Sequence, residues 1–132
     1  MVLVDTNVLV DVLQDDPQWA EWSIGQLRAQ SQIHALAINP IVYAELSLSF
    51  STVEALDRVV ARMELVLHEA PRPALFLAGK AYAQYRRRDG VKTQVSPDFI
   101  VGAHAAVLGW PLLTRDAARY RSYFPTLQVI AP

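Results

Sequence analysis

Residues 1–10 read MVLVDTNVLV, an apolar run that is interrupted only by Asp5, Thr6 and Asn7. Residues 2–4 have the length and the β-branched composition of a short buried strand, and residues 6–13 predict a helix that follows it directly. A strand that passes at once into a helix is the start of a βαβ unit, so this stretch favours an α/β fold with a parallel sheet. It carries an acid and no cationic segment, and we expect no signal peptide.

The rest of the chain repeats the alternation of short apolar runs and helical patterns. Capping residues and prolines mark several predicted helix starts, namely Asn39-Pro40, a capping-box spacing at Ser51, and Ser96-Pro97. We predict helices over residues 17–30, 40–48, 51–64, 73–90, 97–109 and 116–123, and strands over residues 33–38, 66–67, 111–114 and 127–130. This order is typical of βαβ units around one parallel sheet.

Composition limits the class of protein further. Of the 132 residues, 52% are apolar and 19% are charged, which excludes a disordered chain and lets one domain over residues 1–132 bury a core. There is no cysteine, hence no disulfide, thiolate metal site or cysteine nucleophile, and we expect a cytoplasmic protein. Polar residues interrupt the longest uncharged stretches, so we expect no membrane span. A formal charge of −1 means that any nucleic-acid binding depends on a local basic patch.

Four acids fall where the predicted elements reach one edge of the sheet. Asp5 and Asp116 follow predicted strands, and the carboxyl ends of parallel strands form the ligand crevice of open α/β sheets. Asp98 lies in the first turn of its helix, and Glu45 lies one to two turns into the helix after the second strand. The three aspartates also fit helix caps or helix-dipole compensation, and Glu45 also fits a solvent-facing position.

Carboxylates that converge repel one another unless they take up protons or a divalent cation. An all-oxygen set without thiolates suits Mg²⁺ or Mn²⁺. Such sites act mostly on phosphate esters, for which the metal activates water and stabilises the leaving oxyanion. Metal-assisted phosphodiester hydrolysis is therefore the leading reaction class. Asp11 lies four residues after Asn7 on the same helix face and is a candidate supporting residue.

Four segments, in order along the chain, resemble the sequence motifs of the PIN-domain nucleases. They are residues 2–7 (VLVDTN), 39–46 (NPIVYAEL), 96–105 (SPDFIVGAHA) and 112–116 (LLTRD). None of them is specific alone, but their order and spacing extend over nearly the whole chain. The single domain resembles the VapC toxins of prokaryotic toxin–antitoxin pairs. One departure is His104, which an ideal helix places about 240° around from Asp98, so we expect it to point away from the site.

The resemblance implies a five-stranded parallel sheet flanked by helices and a metal-dependent endoribonuclease, the toxin of a VapBC-like pair. It implies a catalytic pocket that binds Mg²⁺ or Mn²⁺ and is built from Asp5, Glu45, Asp98 and Asp116. The three aspartates would bind the metal, and Glu45 would complete the shell or orient the attacking water. The matching polar positions that would support the acids are Asn7 and Thr114. The resemblance also implies an RNA substrate, a cognate antitoxin and a homodimer.

Basic residues near the fourth motif are candidates for contacts with RNA phosphates, namely Arg115, Arg119 and Arg121. Two other functions stay open on the same fold. A small Mg²⁺-dependent phosphatase or phosphotransfer domain needs a lysine beside its acceptor aspartate, whereas neither Lys80 nor Lys92 follows a predicted strand. A non-catalytic binding module would tolerate losses among the four acids, and all four are present.

Overall fold

In the computed structural model, which describes residues 1–88, 90–91 and 94–132, short apolar runs become the strands of a parallel sheet. The described part of the chain contributes five strands in the order β3-β2-β1-β4-β5. They are β1 (Val2–Val4), β2 (Leu36–Ile38), β3 (Leu65–Leu67), β4 (Leu112–Leu113) and β5 (Val129–Ile130). Leu3 is in register with both Ala37 and Leu112. The expected five-stranded parallel sheet is thereby confirmed.

Helices connect these strands and cover the sheet. Those in the described residues are α1 (Thr6–Leu13), α2 (Ala20–Ser31), α3 (Pro40–Leu46), α4 (Val53–Arg62), α5 (Arg72–Arg87), α6 (Pro97–Leu108) and α7 (Ala118–Tyr123). A 3₁₀ turn over Ser47–Ser49 extends α3. The three residues of β1 are completely buried. Because alternate residues of a strand point to opposite faces, this burial requires helices on both sides of the central strand.

The direction of strand addition reverses beside β1. The chain moves outward from β1 through β2 to β3 and then crosses back to β4, on the other side of β1. Ligands bind open α/β sheets at such a switch point, outside the carboxyl ends of the strands. Asp5 follows β1 and Thr114 follows β4, and the backbone N–H of Asp5 still donates to Leu113 O at 2.9 Å. The fold therefore places the candidate site between these two strand ends.

Close packing of α6 against the C-terminal part of the chain brings α7 to this edge. A β-carbon on Gly102 of α6 would lie 2.5 Å from the Phe124 ring and 2.9 Å from the Tyr120 ring, so glycine is required for this approach. Tyr120 is buried as a result, with 2% of its surface exposed. At its other end α6 stops at Gly109, whose left-handed φ of 68° matches the predicted helix end.

Several predicted element ends are wrong. The second helix begins at Ala20 rather than at residue 17, and the last two strands are shorter than predicted, at Leu112–Leu113 and Val129–Ile130. The second strand begins at Leu36 rather than at residue 33, and Ile33 is 73% exposed in the turn after α2. The residue that caps α4 is Thr52 rather than Ser51. The start of α6 is as predicted, with Ser96 at the cap position and Pro97 as the first helical residue, but the Ser96 side chain makes no capping hydrogen bond.

The long helix α5 ends at Arg87 rather than at the predicted residue 90. Lys92, one of the two lysines considered for a phosphotransfer site, lies outside the described residues. Among the helices that the structure describes, none has the length and apolar character needed to cross a membrane.

Candidate active site

Asp5 is the buried carboxylate at the switch point, with 6% of its surface exposed. Its Oδ1 accepts the backbone N–H of Thr6 at 2.8 Å and so caps α1. Its Oδ2 accepts the hydroxyl groups of Thr114 at 2.9 Å and of Tyr120 at 2.8 Å, and Asn7 Nδ2 lies 3.5 Å away. Asp5 can therefore cap α1 and also belong to the site, because Oδ1 makes the capping bond and Oδ2 makes the contacts within the site.

The electrostatic effects around Asp5 show that other acids are near. Burial raises the pKa of Asp5, the hydrogen bonds from Tyr120 and Thr114 lower it in part, and the charge of Asp98 raises it again. The pKa of the Tyr120 hydroxyl is also raised, by burial and by the negative charges of Asp5, Asp98 and Glu45. Three of the four acids thus interact across one small region. A cation in this region would relieve their repulsion.

Asp98 lies in the first turn of α6 and faces α7. Its Oδ2 accepts a hydrogen bond from Arg119 Nη1 at 3.3 Å, and the two side chains are 45% and 31% exposed. The Arg119 guanidinium lies 5.6 Å from the Tyr85 ring centre and 5.8 Å from that of Phe99. At this exposure the ion pair contributes only about 0–1 kcal/mol to stability, but it places a cation beside an acid of the site.

Glu45 reaches the site on α3. The start of this helix is fixed by Asn39, whose Oδ1 accepts the backbone N–H of Val42 at 2.9 Å, as the sequence predicts. Glu45 Oε1 accepts the Thr6 hydroxyl at 2.7 Å. Thr6 therefore joins Glu45 to the residue next to Asp5, and this contact spans 39 residues of sequence.

Asp116 lies in the segment between β4 and α7, and its side chain is exposed. Its backbone N–H donates to Thr114 Oγ1 at 3.2 Å. It does not cap the next helix, which begins at Ala118 without a side-chain cap. The Thr114 hydroxyl, which also donates to Asp5, is thus the group that links the Asp116 segment to the buried carboxylate.

No three acidic or histidine side chains of the described residues converge in an arrangement that would hold a metal ion. The donor atoms present are nevertheless carboxylate and hydroxyl oxygens, which suit a hard divalent cation. The raised pKa of Asp5, to which Asp98 contributes, also indicates negative charge that such a cation would neutralise. The residues therefore fit a divalent cation in their chemistry, with Asp5 and Asp98 as the interacting pair.

The sequence analysis did not identify two residues that contact the acids of the site. Tyr120 supplies a buried hydroxyl to Asp5, and Thr6 supplies one to Glu45. Tyr120 had no local signal, because its partner Asp5 lies 115 residues away. Thr6 had no local signal, since its partner lies on a helix far along the chain.

The three arginines that follow the fourth strand lie in different environments. Arg121 is exposed on α7, and Arg119 contacts Asp98. Arg115 instead pairs with Asp11 on α1, to which its Nε and Nη2 donate at 2.8 Å and 3.0 Å. Only Arg119 among them contacts an acid of the candidate site.

His104 lies in the core and contacts none of the four acids. Its Nδ1 lies 3.3 Å from Asn39 Nδ2 and its Nε2 lies 3.2 Å from His68 Nδ1. Its ring also packs against Trp110, with ring centres 5.6 Å apart. Burial lowers the pKa of His104 to about 4, and His68 contributes to the same effect. The imidazole is therefore neutral at pH 7 and belongs to the packing of α6.

The fold and the site together define an α/β protein with interacting carboxylates at the switch point of a parallel sheet. The family model of the PIN domain matches residues 2–124. The chain belongs to the PIN-domain family, whose members are nucleases.

Solved structures of similar fold cover nearly all of the chain. VapBC2 from Rickettsia felis, bound to a DNA fragment from its promoter, has a TM-score of 0.76 at 19% identity, over 100% of this chain and 99% of that one. VapBC-1 from nontypeable Haemophilus influenzae has a TM-score of 0.75 at 16% identity, over 99% and 98% of the two chains. FitAcB from Neisseria gonorrhoeae has a TM-score of 0.67 at 18% identity, over 98% and 96%. No curated protein sequence matches the chain. At these identities the similarity is one of fold.

Proposed function

We propose that this chain is a metal-dependent endoribonuclease and the toxin of a VapBC-like toxin–antitoxin pair. The observation that carries the proposal is the buried Asp5 carboxylate, held by two hydroxyl groups and interacting with Asp98 at the switch point. Membership of a nuclease family supports a reaction at phosphodiester bonds. The similar fold of two VapBC complexes supports the pairing with an antitoxin.

In this proposal Asp5 and Asp98 bind Mg²⁺ or Mn²⁺, and Asp116 completes the site from the segment after β4. The bound cation supplies charge neutralisation for the phosphate and lowers the pKa of a water molecule. Glu45, oriented by the Thr6 hydroxyl, accepts a proton from the attacking water.

The neutral polar residues favour the ionised form of Asp5 and orient its carboxylate. Thr114 and Tyr120 donate to Oδ2, and these bonds lower the pKa of a carboxyl group that burial would otherwise raise further. Asn7 lies 3.4 Å from Thr114 Oγ1 through its Nδ2 and fixes the orientation of that hydroxyl. Their role is thus to hold a negative charge where the reaction needs it.

Arg119 and Arg121 are the proposed contacts to RNA phosphates. Arg119 lies beside Asp98, so a phosphate that enters the site meets its guanidinium. Arg121 is exposed two residues further along α7. Contacts of this kind position the backbone without reading its sequence.

A cleft of about 470 Å³ between the early helices is the proposed antitoxin site. Its apolar lining comes from Val12, Ile24, Leu27, Leu36 and Met63, with Arg28 and Arg62 at the same cleft. This chemistry suits an apolar helix flanked by acidic residues. A basic side chain of the same antitoxin that reaches the acids would neutralise the site, since guanidinium pairs with carboxylates.

A second apolar surface supports the proposed homodimer. Phe76 and Leu75 on α5 are 69% and 49% exposed. Leu75 also lines a cavity of about 200 Å³ together with Ile41 and Ile100. We expect Phe76→Glu to give a monomer in light scattering, and a wild-type protein that is monomeric at high micromolar concentration would contradict the dimer.

The cleavage experiment uses a single-stranded RNA with Mn²⁺ or Mg²⁺, and an excess of EDTA as the metal-free condition. We expect cleavage that EDTA stops, and its loss in Asp5→Asn and in Asp98→Asn. Asp57→Asn, at an exposed acid of α4, is the matched control and should cleave normally. Cleavage that persists in EDTA would exclude the metal mechanism. Hydrolysis of p-nitrophenyl phosphate without RNA cleavage would favour a phosphatase, and binding of metal without either reaction would favour a binding module.

The antitoxin site is tested by co-purification with the product of a short reading frame next to the gene. We expect Ile24→Glu to abolish co-purification, because it places a charge in the apolar cleft. Ile33→Glu, at a residue that is 73% exposed, is the control and should leave the complex intact. A complex that survives Ile24→Glu would place the antitoxin elsewhere.

A further inference from the structure

The Arg115 side chain forms an ion pair with Asp11 within the protein. Its Nε donates to Asp11 Oδ2 at 2.8 Å and its Nη2 donates to Asp11 Oδ1 at 3.0 Å. This is the two-bond pairing of a guanidinium with a carboxylate, which fixes orientation as well as distance. Lysine cannot reproduce it, because an ammonium group offers no planar fork.

The partner carboxylate is itself rigidly placed. Asp11 on α1 is 2% exposed, and Ser23 Oγ on α2 donates to its Oδ2 at 2.8 Å. The Arg115 guanidinium also lies 5.3 Å from the centre of the Trp19 ring. The arginine is therefore attached to both early helices through one buried acid.

The backbone of Arg115 lies between two residues of the candidate site, Thr114 and Asp116. Its N–H donates to Asn7 Oδ1 at 3.1 Å. Residues 114–117 form no regular secondary structure, and backbone hydrogen bonds hold the two ends of the segment: Thr114 N–H donates to Ile130 O, and Ala117 O accepts the N–H of Arg121, both at 3.0 Å. Between these ends, the contacts that join Arg115 and Asp116 to the rest of the site involve side chains.

We propose that the Asp11–Arg115 pair is a positioning device for the catalytic edge. It anchors residues 114–117 to α1 and α2, and so it holds the Thr114 hydroxyl and the Asp116 carboxylate in place. The inference rests on the proposed nuclease function, which assigns Asp116 to the site. The pair is only partly buried, since Arg115 is 31% and Asp11 2% exposed. Such a pair adds little net stability over apolar residues, whereas its fixed two-bond geometry specifies one arrangement. Neither Asp11 nor Arg115 touches the substrate in this proposal.

The first measurement is the affinity of the folded protein for Mn²⁺, by isothermal titration calorimetry. We expect Arg115→Gln and Asp11→Asn to weaken it by about 10- to 100-fold, the usual effect of removing a residue that orients metal ligands. Arg115→Lys keeps the charge and one donor, and its affinity should lie between wild type and Arg115→Gln. Arg58→Gln, which removes a guanidinium from the exposed side of α4, is the control and should bind as wild type does.

The second measurement is amide hydrogen exchange by NMR, which needs neither metal nor activity. We expect the amides of residues 115 and 116 to exchange at least about tenfold faster in Arg115→Gln, over and above any change in the amides of β1, which report the unfolding free energy of the whole domain. If Arg115→Gln does not fold, Arg115→Lys and Asp11→Asn carry the same comparison.

Two results would overturn the inference. In the first, Arg115→Gln has the Mn²⁺ affinity and the amide exchange rates of the wild type and only a lower melting temperature. This result would mean that the pair has a structural role alone. The other is a higher KM for RNA in Arg115→Gln but not in Asp11→Asn, which is a contact with RNA. If wild-type protein neither binds Mn²⁺ nor cleaves RNA, the proposed function fails, and the exchange measurement still decides whether the pair fixes the segment.

Discussion

Replacing Tyr120 by phenylalanine removes one hydroxyl from a buried charge and nothing else. Tyr120 OH donates to Asp5 Oδ2 at 2.8 Å, and both residues are at most 6% exposed. A hydrogen bond to a charged group contributes about 1.5–3 kcal/mol to stability. For a domain of this size, that loss corresponds to a melting temperature lower by about 5–10 °C.

The loss must depend on pH, because the bond stabilises only the ionised form of Asp5. The pKa of Asp5 in the folded protein is already raised above its usual value, and the Tyr120 bond opposes that rise. Tyr120→Phe raises the pKa further, so its destabilisation is full at pH values well above the folded pKa of Asp5, where the carboxylate is charged. As the pH falls through the folded pKa of Asp5, the carboxyl group takes up a proton in both proteins and the difference shrinks. The acid limb of the activity profile should move to higher pH in the variant.

The assay is urea unfolding of both proteins at several pH values, with Tyr43→Phe as the matched control. Tyr43 OH donates to Asp57 Oδ1 at 2.7 Å, which is the same kind of bond at an exposed position. Surface contacts of this sort change stability by no more than about 0.5 kcal/mol. Equal losses in the two variants at the highest pH tested, or a loss in Tyr120→Phe that does not shrink as the pH falls, would refute the reasoning.

Three further outcomes are expected. Saturating Mn²⁺ at about 100 times its dissociation constant should stabilise the wild type by about 2.7 kcal/mol in thermal unfolding and should not stabilise Asp98→Asn. Asp5→Asn should unfold at a higher temperature than wild type without metal at neutral pH, since it removes a buried charge; a lower melting temperature would show that the lost hydrogen bonds outweigh the repulsion. Because the pKa of His104 is lowered to about 4, wild type should lose about 3 kcal/mol as the pH falls from 6.5 to 4. His104→Gln should lose less over that range, and His34→Gln, an exposed control, should behave as wild type.

The parts of the structure that could be predicted are those with local causes. β1 is three consecutive apolar residues, Asn39 caps its helix through a bond three residues away, and Gly109 ends α6 in a left-handed conformation. Each of these features is determined by a few neighbouring residues. The reversal of strand order that creates the site cannot be predicted in this way, because it depends on which strand β4 pairs with.

The positions of the acids can be predicted from the neighbouring sequence, but their hydrogen-bond partners cannot. Asp5 was found because it follows a strand, but the hydroxyl of Tyr120 that supports it lies 115 residues away. The sequence also gives no sign of the pairing of Arg115 with Asp11, since a contact across 104 residues leaves no local pattern. Sequence spacing therefore indicates which residues reach an edge of the sheet, and only the packed structure shows how their charges are balanced.

The way in which each buried carboxylate is neutralised determines how the protein responds to its mutation. Among the described residues, Asp5 is buried with neutral donors only, so its charge is left for a cation, whereas Asp11 is buried and paired with a guanidinium. Removing the charge of Asp5 relieves repulsion and abolishes function, while removing that of Asp11 leaves an unpaired cation. The two aspartates lie six residues apart on one short stretch of chain. We expect both variants to weaken metal binding but to change stability in opposite directions, because among the described residues only Asp11 has a cationic partner.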